Sequence, residues 1–232
     1  MRAALSVVIP TLNAGGALAV SLPPLMEGLQ AGVIRELIIS DAGSNDETVQ
    51  IAEEVGATVV TGAPSRGGQL RRGAAAAAGD WVLFLHADTE LPAGWADAVL
   101  DHIEAHPEAA AYFRLKFLET GLGARWVAGW ANLRAKWFDL PYGDQALLLP
   151  RALYDLVGGF ADQPLMEDVA MARALKGKLR AIPLSVRTSG AKYVQEGWLR
   201  RGRRNLWCLL RYLCGADPHA LAQSYRRSGR RS

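Results

Sequence analysis

Short apolar runs alternate with polar turns and helix-like spacing through the first ninety residues. Residues 5–9 form an apolar run stopped by Pro10, which reads as a buried strand. Residues 15–30 carry helical spacing interrupted by Pro23-Pro24, and residues 36–40 form a second short strand. After the turn-forming DAGSND, Asn45 or Asp46 caps a helix carrying Val49, Ile51, Ala52 and Val55, which ends at Gly56. Residues 57–61 are a third strand, 68–78 a helix closed by Gly79, and 80–85 a fourth strand. Strands in alternation with helices predict an α/β fold: a mostly parallel central sheet flanked by helices.

The second half is less regular. Residues 92–104 read as a helix and 110–118 as a strand with partial alternation. Trp126, Trp130, Leu133 and Trp137 recur at i, i+4, i+7 and i+11, one face of a helix. Residues 141–149 run from a turn into a strand, and 179–183 form a last strand. Residues 165–176 open with acids and close with lysine, as a helix dipole favours.

Charge divides the chain in two. Residues 1–186 hold 15 Lys/Arg against 21 Asp/Glu, whereas 187–232 hold 11 against 2. The expected organisation is therefore an acidic body over 1–186 and a basic helical appendage over 187–232. Within the appendage, EGWLRRGRRNLWCLLRYL sets four arginines before a helix with Leu206, Leu209, Leu210 and Leu213 on one side and Arg211 further on. It suits a membrane interface with arginines on anionic lipid, or docking on the protein's own core or on a second subunit. No stacking motif supports nucleic-acid binding. Cys208 and Cys214 have no ligand-spaced companions and suggest neither zinc nor a disulfide framework. The start does not read as a signal peptide, and no run reaches the ~20 apolar residues of a membrane span. The expectation is a cytoplasmic protein, peripheral at the inner face of the plasma membrane if the tail binds lipid.

In parallel sheets ligands gather at the carboxyl ends of strands. Three polar clusters fall there: PTLN (10–13), SDAGSND (40–46) and HAD (86–88). In an extended segment His86 and Asp88 point to one side, and Asp88 suits a divalent cation completed by phosphate oxygens. His86 is a second ligand or a hydrogen-bonded neighbour. Asp41 can accept from the N–H of a base, or simply cap its turn. Arg66 and Arg71 can neutralise a diphosphate or lie on a solvated helix face. Glu167-Asp168 are dipole partners unless the fold returns them to the cation, where one can be a general base. Gly143, Asp144 and Gln145 carry the same ambiguity.

The order of VVIPTLN, ELIISDAGSNDET, the Arg/Gly-rich helix ending AAGDW, VLFLHADTELPAGW, GGF and LMEDVAMARAL resembles the family 2 glycosyltransferases of GT-A fold. The resemblance spans residues 5–183, closest to a bacterial subgroup with an HAD metal motif. It implies that Pro10, Thr11, Asn13, Asp41, Ser44, Arg66, Arg71 and Ala87 hold the nucleotide. Asp88, with His86, would bind manganese or magnesium on the diphosphate. Asp168 would be the base of an inverting transfer supported by Glu167, while Trp130, Gly143, Asp144 and Gln145 would meet sugar or acceptor. The implied donor is a UDP-sugar, with a GDP-sugar as second choice. A lipid-linked acceptor and a homodimer are compatible with the tail. The competing readings are a sugar nucleotidyltransferase, against which the lack of a GGxGTRL-like signature counts, and a catalytically impaired nucleotide-binding scaffold, against which Asp88 and Glu167-Asp168 count.

Overall fold

The computed structural model describes residues 4–229 and the side chains through Tyr225. The chain runs β1 (Leu5–Thr11), α1 (Gly15–Ser21), α2 (Leu25–Gln30), β2 (Ile34–Asp41), α3 (Thr48–Glu54), β3 (Thr58–Thr61), α4 (Arg66–Ala76), β4 (Trp81–Phe84), β5 (Thr89–Glu90) and α5 (Trp95–Ala105). It continues with β6 (Ala110–Phe117), α6 (Leu122–Phe138), one 3-10 turn (Gly143–Gln145), β7 (Leu147–Pro150), α7 (Arg151–Leu156) and α8 (Glu167–Ala174). The last elements are β8 (Leu179–Thr188), α9 (Ala191–Glu196), α10 (Trp198–Leu213) and α11 (Pro218–Gly229).

The strands form one sheet in the order β3-β2-β1-β4-β7-β6-β8-β5. Pairing is parallel from β3 to β4 and between β6 and β8. It is antiparallel where β7 meets β4 and β6, and where β5 meets β8. Helices cover both faces because the strands are apolar on both. Leu5, Val7 and Ile9 enter one core with Leu83 and Phe113, while Val8 and Ile38 enter the other with Val82 and Leu149. Each such side chain contributes about 1.5–3 kcal/mol by leaving water. At Gly73 of α4 an added Cβ would stand 2.3 Å from Val8 Cγ1, so only glycine lets α4 lie this close to β1.

The structure departs from the pattern where long-range packing overrides local signals. The last strand does not stop at Pro183. Its pairing with β6 shifts register between Phe113 and Arg114, so Pro183 and Leu184 bulge out and the strand resumes at Ser185. A proline without an N–H is tolerated there. β8 then runs to Thr188, so the domain break expected after 186 falls inside it. The short α7 was not foreseen; Arg151 at its start donates to Ala74 O and Ala77 O at the end of α4.

The tail packs against the body through one side of α10. Cys208 and Leu209 join Met166, Val169 and Leu221 in a small core beside α8. This corrects the leucine face: Leu209 turns inward, and Leu206, Leu210 and Leu213 remain exposed. Glu196 pairs with Arg201 and Arg204, and their guanidiniums lie over the Tyr193 and Tyr225 rings. Arg200 and Arg203 face outward. Among the described residues no helix is long and apolar enough to cross a membrane.

Candidate active site

The carboxyl ends of β1 and β2 are tied into one interlocked turn. Asp41, 1% exposed, accepts Thr11 Oγ1 at 2.9 Å and Ser44 Oγ at 2.6 Å on Oδ1. Its Oδ2 accepts the Gly43 and Ser44 amides, each at 2.8 Å. These four bonds hold the Asp41 pKa below the usual carboxylate range, although burial alone would raise it. Ser44 Oγ also accepts the Asn13 amide, and Asn13 Oδ1 accepts the Asn45 amide. Asn13 is held at φ 50°, a left-handed conformation that asparagine tolerates. Gln69 of α4, which the sequence did not single out, closes the floor by donating to Thr11 O and Ser40 O. Pro10 ends the same strand opposite Ser40.

On the neighbouring strand, β4 ends at Phe84, and residues 86–89 close a turn through Thr89 N–H to His86 O at 3.1 Å. This replaces the extended geometry expected for HAD. His86 is turned toward the 143–145 turn: a Cβ added to Gly143 would stand 2.5 Å from His86 Nε2. Burial, aided by the Arg66 charge, lowers the His86 pKa to about 3, so the ring is neutral at physiological pH. Ala87 is buried between His86 and Asp88.

Asp168 at the start of α8 accepts the Gly143 amide on Oδ2 at 3.1 Å and the Val169 amide on Oδ1 at 2.7 Å. Glu167 beside it is 2% exposed, and its Oε2 has no hydrogen-bond partner among the described residues. Burial first, then Asp168, raise the Glu167 pKa against the opposing pull of Arg66. Arg66 Nε lies 3.6 Å from Glu167 Oε1. The Arg66 side chain is half exposed; desolvation among the carboxylates disfavours its charge, but Glu167, Asp168, Asp88 and Asp144 together raise its pKa. Four carboxylates from three distant parts of the chain thus share the field of one arginine. A cavity of about 440 Å³ opens among Phe84, His86, Tyr142, Gly143, Glu167 and Asp168.

Two expected site residues, Gln145 and Arg71, are placed otherwise. Gln145 is wholly buried: its amide donates to Phe113 O and its Oε1 accepts the Tyr142 amide, so it braces the turn and presents no surface to a sugar. Arg71 lies on the exposed side of α4 and its charge acts on Tyr154, outside the carboxylate group. Trp130 is half exposed at the mouth of a second cavity, where Asp144 and Tyr142 form part of the floor. Arg134 was missed. Its guanidinium covers the Tyr142 ring at 3.4 Å and donates to Leu140 O, a role hidden in an otherwise small-residue helix face.

The family model for glycosyl transferase family 2 matches residues 6–161, well over half of the chain. The chain belongs to that family. This glycosyltransferase has the GT-A architecture, and solved structures agree with it. Staphylococcus aureus TarS residues 1–349 superposes with a TM-score of 0.62 at 16% identity, over 96% of this chain and 69% of that one. Glucosyl-3-phosphoglycerate synthase from Mycobacterium tuberculosis, in complex with Mn2+, UDP and glucosyl-3-phosphoglycerate, gives 0.61 at 22% identity, over 92% and 81%. TarS 1–349 in complex with UDP-GlcNAc gives 0.61 at 15%, over 82% and 58%. No curated protein matches the glycosyltransferase.

Proposed function

We propose that the chain moves a sugar from UDP to an acceptor hydroxyl with inversion, using a divalent cation at the diphosphate. The observation that carries this is the single arginine, Arg66, in the common field of Asp88, Asp144, Glu167 and Asp168. The structural neighbours' complexes with UDP, UDP-GlcNAc and Mn2+ support the donor class.

Among the described residues no three His, Cys, Asp or Glu side chains gather into a closed metal cage. The donor set instead fits a cation that takes most of its shell from phosphate oxygens and water, with Asp88 as carboxylate and neutral His86 beside it. Such a cation, when bound, neutralises charge on the departing diphosphate. With histidine in place of a second acid, retention in the absence of nucleotide is weak. Manganese or magnesium both suit the set.

The remaining work falls to protein groups. Arg66 presents its guanidinium to the leaving diphosphate. Asp168, oriented by the Gly143 amide, takes the acceptor proton as the acceptor oxygen bonds to the anomeric carbon. The bond from that carbon to the diphosphate oxygen breaks, and UDP leaves with the electron pair. Glu167 holds Arg66 in place. Because the Asp41 carboxylate is saturated by its own loop and Thr11, a base would bind it by taking the place of one donor. Through α10 the protein would rest on a membrane surface.

Thermal shift with UDP, GDP and CTP, each with and without Mn2+, tests this. UDP at about 100 times its Kd should add ~2.7 kcal/mol of stability, and only with the metal. Preference for CTP would favour a nucleotidyltransferase instead, and indifference to all three would remove the donor site.

A further inference from the structure

The exposed side of α6 is built the wrong way round for a helix in water. Leu122, Trp126, Trp130, Leu133 and Trp137 follow one another down a single face, and all are exposed, Trp126 by 60% and Trp137 by 67%. The face turned to the core is made of smaller residues: Ala124, Val127, Ala128, Ala131 and Ala135. α10 repeats the inversion. Leu199, Leu206, Trp207, Leu210 and Leu213 point outward, while Cys208 and Leu209 point inward. The two outward faces meet, because Trp130 of α6 and Leu206 of α10 line one open groove. Contiguous apolar surface of this kind marks a binding face, and tryptophan is the residue suited to a boundary between apolar and wet phases.

Charge indicates what lies against it. Neither α6 nor α10 contains an Asp or Glu, although the chain has 23. Arg125, Lys136, Arg200 and Arg203 are exposed around the apolar residues. A second copy docked face to face about a two-fold axis would bring these cations against their equivalents. An anionic lipid surface complements them.

The groove reaches the 143–145 turn at Tyr142 and Asp144. Its floor includes Arg134, Asp144, Tyr142 and Tyr193. Arg134 is 8% exposed, and its Nη2 has no hydrogen-bond partner among the described residues; nor does Asp144 Oδ1. One unused donor and one unused acceptor suit a hydroxyl, which can both accept and donate. Asp144 is next in the chain to Gly143, whose amide orients Asp168.

We propose that the acceptor is an amphiphilic alcohol drawn from an anionic lipid surface, its apolar part between Trp130 and Leu206 and its hydroxyl between Arg134 and Asp144. This rests on the glycosyltransferase reading and names the acceptor class for the same site. The transfer itself is the one written above: the hydroxyl keeps its bond from Arg134 and turns its hydrogen from Asp144 to Asp168, its oxygen bonds to the anomeric carbon as that proton passes to Asp168, and UDP departs with the electron pair.

Flotation with vesicles of phosphatidylcholine, and of the same lipid with a third replaced by phosphatidylglycerol, tests the surface. Binding should rise about tenfold or more with the anionic lipid, and Arg200→Glu/Arg203→Glu should return it to the level of phosphatidylcholine alone. Brominated phosphatidylcholine should quench tryptophan emission in the native protein, and markedly less in Trp126→Ala/Trp137→Ala. For the groove, monooleoylglycerol should raise the Tm where glycerol does not, and Leu206→Glu should abolish that response. Failure to float, equal effects of glycerol and monooleoylglycerol, or a dimer that Trp126→Ala/Trp137→Ala dissolves would each overturn the proposal. The UDP–Mn2+ shift is read in every sample. Where it persists, the acceptor assignment alone has failed; where it is absent, the donor reading has failed with it.

Discussion

The carboxylates at the end of β2 and those facing the 143–145 turn are bound in opposite ways. Asp41 spends both oxygens on four donors from its own loop and from β1, and its pKa is depressed. Glu167 is buried and Asp144 half-buried, each with one buried oxygen left unpartnered among the described residues, and desolvation raises the pKa of both. Buried polar atoms without partners are costly, so a fold keeps them where something else is to supply the partner. The turn at the end of β2 is a finished scaffold; the side facing the 143–145 turn keeps polar atoms that a ligand can complete.

The sharpest test of that contrast is chemical. Asp168→Asn keeps the shape and removes the base; its one oxygen can accept the Gly143 amide only by giving up the Val169 amide. Transfer should fall by ~10²–10⁴ in kcat while the UDP–Mn2+ thermal shift persists. Loss of both would mean that Asp168 belongs to the donor site, and the division between the two sides would collapse.

The scaffold side should answer in stability. Asp41→Ala strands the Thr11 and Ser44 hydroxyls and two amides, and should cost about 3 kcal/mol in urea unfolding. The sign with pH follows from the depressed pKa. Stability from Asp41 is present above the ordinary carboxylate pKa and is lost as pH falls through the lowered one. A variant as stable as the native protein would show that the loop does not depend on this carboxylate.

Asp144 should behave in the reverse sense. Burial first, then Asp168 and Asp88, raise its pKa from 3.8 to about 6, against Arg134 and Arg66. Folding therefore favours its neutral form, and the cost of charging it appears as pH rises from about 4 through 6. Asp144→Asn should be stabilised relative to the native protein by about 2 kcal/mol more at pH 7.5 than at pH 4.5. A difference that does not change with pH would place Asp144 in water.

These two sides also differ in how far the sequence reveals them. The parallel strands are legible because each is a short apolar run ended by a turn former, and parallel pairing puts successive run ends on one edge of the sheet. PTLN, SDAGSND and HAD fall there with no knowledge of what packs where. The side facing the 143–145 turn depends on contacts that no local pattern encodes. Gly143 matters because its amide meets Asp168 and its missing side chain admits His86. Gln145 reads like a ligand residue, yet it is consumed by Phe113 O. The tryptophan repeat gives the helix but not which side faces out, because alanines can fill the close contact with the sheet while the large rings stay outside. Spacing tells only that the residues share a face.

Arg66 and Arg71 offer the smallest and most discriminating comparison, since both belong to SRGGQLRRG and composition cannot separate them. Position on α4 does. Arg66 opens the helix beside Glu167, within the field of four carboxylates, whereas Arg71 is five residues on, exposed, with its charge directed at Tyr154. A single charge-assisted contact to a diphosphate is worth roughly 1.5–3 kcal/mol, so Arg66→Ala should weaken UDP–Mn2+ binding about tenfold or more. Removing Arg66 also leaves Glu167 more isolated in its buried site, which adds to the unpaired oxygen already there. Arg71→Ala should change neither UDP–Mn2+ affinity nor stability beyond about 0.5 kcal/mol. Calorimetric titration of both variants decides it. Equal losses would mean that the diphosphate lies along α4 rather than at its start, and Asp88 would then be too far from it to share a cation.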